Sequence, residues 1–172
     1  TDIYRTYLPP LYDCKVIQIT EKITSGFPYN VELGHMQPAG LQKKELVEIE
    51  IIISKISDAF MFNNCVSHTE IKINNNGIFV IETSPRLGGD FITSTLVPYS
   101  TGINLERVLI NLATNCDIGD LSIQNNAAGI IYFDETTYLD SSKIEQLVSN
   151  KNVVKFQNKK RLLNKTIKNS LD

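Results

Sequence analysis

Residues 68–90 read HTEIKINNNGIFVIETSPRLGGD, two apolar and polar runs on either side of an asparagine-rich turn. Residues 65–73 alternate, NNNG supplies turn chemistry, and residues 78–83 are β-branched and aromatic, as strands prefer. This is the clearest hairpin in the chain. Its register fixes what Glu70 and Glu82 do. A three-residue loop Asn75–Asn76–Gly77, ending on a glycine suited to left-handed backbone, pairs Asn74 with Ile78. Glu70 then lies opposite Glu82 on one face, with Cβ atoms about 4.5–5.5 Å apart. A two- or four-residue loop pairs Glu70 with Ile81 instead and sends Glu82 to the other face.

Two carboxylates held opposite each other repel unless a positive charge lies between them or one is protonated. Mg²⁺ suits such a pair: its octahedral shell takes one or two carboxylates and leaves the rest to water and phosphate oxygens. Ser84 offers a neutral oxygen just past Glu82. Arg86, four residues after Glu82, offers a planar, permanently charged fork for a transferring phosphoryl group. Gly88 and Gly89 let backbone N–H groups approach an anion. The plainer reading is an exposed hairpin with solvated glutamates and a glycine turn, with Lys72, on the face of His68 and Glu70, as an ordinary salt-bridge partner.

Working outward, residues 14–24 and Val31–Leu33 flank the turn segment SGFPYN and read as an antiparallel strand pair. Leu46, Ile49, Ile53, Ile56 and Phe60 recur at helical spacing within residues 42–62, which predicts an amphipathic helix. Residues 84–103 form a long loop interrupted by an apolar patch from Phe91 to Val97. Asn104 can cap a helix whose inward face is Leu105, Val108, Leu109 and Leu112. A strand over 129–133, a short helix over 141–149 and a basic tail over 151–172 follow, the tail carrying six Lys and one Arg against one Asp. Hairpins mixed with separate helices predict an α+β fold built on an antiparallel sheet with packed helices. The expected division is residues 1–126 as the main lobe and 127–172 as the start of a small C-terminal subdomain.

Composition sets the bounds. The chain has 172 residues, 42% hydrophobic, with a net charge of -2, so nothing points to nucleic acid as a partner. Three cysteines without a CxxC argue against a disulfide framework or a zinc site and fit a reducing cytoplasm. No run of about 18 or more apolar residues suggests a membrane helix. The chain begins with Thr1, as a piece of a longer polypeptide would.

HTEIK, the twelve-residue step from Glu70 to Glu82, ETSPRLGGD and LVPYSTGINLERV together resemble the C-terminal catalytic half of the ATP-grasp superfamily. The resemblance is strongest to the carboxylate-amine ligase branch that contains L-amino-acid ligases, with carbamoyl phosphate synthase and biotin carboxylase further off. ITEKITSGFPYNVELGHMQPAGL resembles the upstream strand pair of the same branch, so the similarity spans residues 16–115. It implies ATP and Mg²⁺ (or Mn²⁺) as cofactors, an acyl-phosphate intermediate, and small carboxylate and amine substrates. It also implies that Glu70 and Glu82 hold the metal ions bridging the ATP phosphates and that Arg86 stabilises the phosphoryl transition state. Glu32 and His35 in VELGH match positions facing the amino-acid substrate. Ser84 departs from the pattern, since Asn is usual there as a metal ligand. The small lobe with its glycine-rich loop and paired lysines, and the N-terminal domain, are not in this sequence, so the fragment alone is expected to be inactive or nearly so. The alternative is a non-catalytic nucleotide-binding or interaction module that retains the fold.

Overall fold

In the computed structural model, residues 2–8, 13–133, 142, 145–146 and 149–153 are described. They form six strands and three α-helices: β1 Asp2–Leu8, β2 Asp13–Thr24, β3 Glu32–Gln37, α1 Lys43–Ala59, β4 Val66–Asn74, β5 Gly77–Ser84, α2 Val97–Thr101, α3 Leu105–Ala113 and β6 Ala128–Ile131. The strands make one sheet in the order β5-β4-β1-β2-β3-β6. The pairs β1–β2, β1–β4, β3–β6 and β4–β5 are antiparallel. The architecture is α+β, as expected. β1, which the sequence reading passed over, is the strand that brings β2 and β4 into one sheet.

The chain divides into two compact units, Thr1–Ile23 with Gly34–Ile131, and Thr24–Leu33 with Tyr132–Asp172. In the first, α1 closes one face of the sheet. Ile49 and Ile53 are 0% and 1% exposed and pack with Ile19 and Ile71, flanked by half-buried Leu46 and Ile56. Each such isoleucine contributes roughly 1.5–3 kcal/mol by leaving water. The backbone N–H of Gln42 donates to the Glu45 carboxylate at 2.7 Å, satisfying one of the unpaired donors at the helix start. Phe60, expected on the inward face, instead ends the helix exposed, its ring centroid 5.8 Å from that of Phe62.

The opposite face carries a second core of Ile17, Val66, Ile92, Leu96, Val97, Ile103, Leu105, Val108, Leu112 and Leu121. Asn104 caps α3 as anticipated, its Oδ1 accepting from the Arg107 N–H at 2.8 Å. One β-bulge decides which core Ile17 joins. Tyr4 pairs with Gln18 but Arg5 pairs with Val16, so Ile17 is the extra residue of β2. Val16 and Ile19 face α1, while Ile17 and Gln18 turn to the α2–α3 side.

Gln18 belongs to a buried polar network there. Its Nε2 donates to Ser100 Oγ at 3.0 Å, Ser100 Oγ donates to Gln37 Oε1 at 2.8 Å, and Gln37 Nε2 donates to Thr20 Oγ1 at 2.7 Å. β2, β3 and α2 are therefore tied by directional bonds as well as by apolar contact.

In the second unit, the Ser25 N–H donates to the Val31 carbonyl at 2.9 Å and the Asn30 N–H to the Gly26 carbonyl at 2.9 Å, closing the predicted turn. Phe27 stands 92% exposed at its tip. The Tyr132 N–H donates to the Leu33 carbonyl at 2.8 Å. Most of the expected 141–149 helix and most of the basic tail lie outside the described residues, and the described positions 142, 145, 146 and 149 are helical.

Candidate metal and phosphate site

The β4–β5 register pairs Glu70 with Glu82, Thr69 with Thr83 and His68 with Ser84. The outcome matches the expectation, but the route to it does not. Asn74 pairs with Gly77 across a two-residue turn, a register that would have set Glu70 against Ile81. A bulge between Ile71 and Glu70 then absorbs Ile81 as an extra residue of β5 and returns Glu82 to Glu70. Gly77 has φ 127°, a value only glycine adopts readily, and Asn74 Oδ1 accepts from the Asn76 N–H at 2.8 Å to tighten the turn.

Alternation along the strands puts the candidate residues on the face away from α1. Ile71 packs with Ile49 and Ile53, and Thr69 Oγ1 meets Thr83 Oγ1 at 2.8 Å on that same side. Glu70, Glu82, His68 and Ser84 therefore share the opposite face. Glu70 and Ser84 are half-buried, Glu82 is exposed and His68 is buried.

Two cations answer the paired carboxylates. Lys22 Nζ, from β2, lies 3.2 Å from Glu70 Oε2, the two side chains being only 18% and 29% exposed. Arg86 reaches Glu82 Oε1 with its Nη2 at 3.7 Å, and its Nη1 donates to the Leu87 carbonyl at 3.0 Å. Both members of the Arg86–Glu82 pair are more than half exposed, at 53% and 56%, so that contact is worth little on its own. Sequence reasoning missed Lys22. No local signal marks it, because its proximity to Glu70 depends on the strand order. Lys72, weighed as a partner for the glutamates, is exposed, and the ion pair at Glu70 is made by Lys22.

After β5 the chain turns sharply. The Arg86 N–H donates to the Ser84 carbonyl at 2.9 Å and the Ile92 N–H to the Gly89 carbonyl at 2.9 Å. The left-handed conformation falls on Asp90 (φ 50°) and Phe91 (φ 60°), not on the glycines before them. A side chain at Gly89 would meet nothing within 4 Å, so the fold itself has no steric need of a glycine there. The loop leads into a π-helical turn, Ile92–Leu96, continuous with α2. π-turns recur at functional sites.

His35 is fully buried on β3, and its ring nitrogen lies within 4.8 Å of a carboxylate oxygen of Asp90. The loop after the hairpin is thus brought to β3, and Asp90 joins the neighbourhood although the sequence reading gave it no role. Gly34, just before His35, is required by packing: a Cβ there would run into the Ile130 carbonyl oxygen of β6. Glu32 is half-buried at the first residue of β3.

The donor set suits a hard divalent cation. Two glutamates are paired in register on one face, a hydroxyl follows at the position two residues on, and both glutamates are already in contact with positive groups.

Residues 12–94 match the family model of the ATP-grasp domain. No curated protein matches the chain. Among solved structures, the L-amino acid ligase from Bacillus licheniformis superposes with a TM-score of 0.63 at 24% identity, covering 74% of this chain and 33% of that one. Phosphoribosylglycinamide synthetase from Anaerococcus prevotii gives 0.62 at 19% identity, with the same coverage of 74% and 33%. N5-carboxyaminoimidazole synthetase from Staphylococcus aureus, complexed with ADP, gives 0.59 at 17%, covering 76% and 33%. The chain spans about a third of the length of each. Over residues 12–94 the chain is therefore similar to the ATP-grasp domain, and its fold is shared with these enzymes.

Proposed function

We propose that this chain is the C-terminal catalytic part of an ATP-dependent carboxylate-amine ligase. In this reading a carboxylate is activated as an acyl phosphate and an amine then displaces the phosphate, dividing one difficult condensation into two easier steps. The observation that carries it is the pairing of Glu70 with Glu82 on one sheet face, with Arg86 four residues further on.

Each residue has a role that its setting supports. Glu70 and Glu82 would hold Mg²⁺ or Mn²⁺, with Ser84 adding a neutral oxygen. The metal, when bound, neutralises phosphate charge and orients the nucleotide. Arg86, loosely held and exposed, can turn its guanidinium toward the transferring phosphoryl group. Gly88 and Gly89 keep the loop free of side chains where phosphate oxygens would approach. His35, with Glu32 at the start of the same strand, is assigned to the small carboxylate or amino-acid substrate. The adenine-covering lobe and the N-terminal domain would come from the rest of the polypeptide, with residues 127–172 beginning a small further subdomain, and the protein would work in the cytoplasm. Among the described residues no helix is long and apolar enough to cross a membrane.

Ser84, where the resemblance leads one to expect Asn, favours a second reading: a module that binds nucleotide or a partner without turning nucleotide over. ADP release by the full-length protein, measured with a panel of carboxylates and amines, separates the two. Turnover abolished by Glu82→Gln and by Arg86→Ala supports the ligase. Nucleotide binding without ADP release under any pairing favours the module.

A further inference from the structure

We propose that Lys22 is both the resident counter-ion of Glu70 and a polyphosphate-binding residue, so that it makes metal entry depend on the nucleotide. This rests on the reading of Glu70 and Glu82 as the metal pair.

The geometry is specific. β1 separates β2 from β4, and Asp2 pairs with Thr20 on one side and Glu70 on the other. Lys22 lies two residues beyond Thr20, past the last described pair of β1. Its four-carbon stem crosses that gap to Glu70 Oε2, 3.2 Å away. Thr20 bonds Gln37 on the face away from α1, so Lys22, two residues along, projects to the face that carries both glutamates.

The electrostatics follow from the two ion pairs. Arg86 and Glu82 are both largely exposed and solvent weakens their attraction. Lys22 and Glu70 are mostly shielded, where the same separation gives a stronger interaction. A divalent cation arriving alone must displace this ammonium or share Glu70 with it, and like charges make both unfavourable. A polyphosphate changes the balance. Its oxygens accept from the three-donor ammonium while they also ligate the metal, so the positive charge of Lys22 is drawn toward the ligand and Glu70 is released to the cation. Metal and nucleotide then bind with positive coupling, and by linkage each raises the affinity of the other equally.

The test is Mn²⁺ binding to this chain, followed by the resonance of free Mn²⁺, with and without ADP, in the wild type and in Lys22→Met, Lys22→Gln and Lys22→Arg. Lys22→Met and Lys22→Gln are expected to bind Mn²⁺ alone about tenfold more tightly and to lose about tenfold of the gain that ADP confers, whereas Lys22→Arg keeps the wild-type pattern. The opposite signs exclude a general loss of structure, and circular dichroism identifies a variant that fails to fold, leaving the other neutral substitution to be read. Unchanged or weaker Mn²⁺ binding in the neutral variants overturns the counter-ion role. An ADP gain equal to that of the wild type, or no gain in the wild type, overturns the phosphate role. Glu70→Gln and Glu82→Gln keep the two levels apart: if neither lowers Mn²⁺ affinity, the metal site itself is wrong, whatever Lys22 does.

Discussion

Two β-bulges among the described strand pairs solve different problems with the same device. In β2 the extra residue is Ile17, 2% exposed, and its insertion delivers an isoleucine to the α2–α3 core while Val16 and Ile19 stay with α1. In β5 the extra residue is Ile81, 57% exposed, and its insertion delivers nothing to either core. What it changes is the register, setting Glu82 opposite Glu70. One bulge serves packing and the other serves a pair of charges.

The contrast predicts unequal costs. Ile17→Ala should lower stability by about 2–5 kcal/mol, the range for truncating a fully buried isoleucine, as read by urea denaturation. A loss under 1 kcal/mol would mean that the β2 bulge is not built around that contact. Ser100→Ala should follow at about 1–3 kcal/mol, because Gln18, next to the bulge, and Gln37 would lose their shared hydroxyl while still buried. Ser100→Cys, whose thiol is bulkier and a weak donor and acceptor, should rescue little of it. Ile81→Ala should change stability by less than about 0.5 kcal/mol and leave Mn²⁺ binding intact, since the backbone and not the side chain makes the β5 bulge. A large loss of Mn²⁺ affinity there would show that the isoleucine side chain itself shapes the site.

The smallest effect belongs to an exposed carboxylate outside both bulges. The Ser122 hydroxyl, then its backbone N–H, and further off the Lys15 charge hold the Asp120 carboxyl below its ordinary value. A depressed carboxyl adds stability that is present above its unfolded value and fades as the pH falls through the folded one. Removing the largest cause by Ser122→Ala should raise the Asp120 value, seen in an NMR titration, and narrow that window.

Much of this was legible in the sequence, and the remainder shows where local reading stops. Helix α1 and the Asn104 cap could be read because their signals repeat or sit at fixed offsets from the element they serve. The hairpin was also legible, and Glu70 does meet Glu82, yet the turn assumed for it was wrong. A two-residue turn and a bulge add up to the same offset as a three-residue loop, and composition does not distinguish them. Lys22 was invisible for a different reason. It is 48 residues from Glu70, and only the placement of β1 between β2 and β4 brings them together. Asp90 approaches His35 through a loop whose left-handed residues are Asp90 and Phe91, while the glycines beside them drew the attention.

The β5 bulge has one more consequence, for solubility. Among the described residues β5 ends the strand order, and Phe79, Val80 and Ile81 stand exposed along it. Such an edge invites another chain's strand to add on and seed aggregation. The extra residue at Ile81 breaks the regular spacing of that ladder midway, so an incoming strand cannot stay in phase along its length. The irregularity that aligns two glutamates also interrupts the regular ladder that an added strand would need.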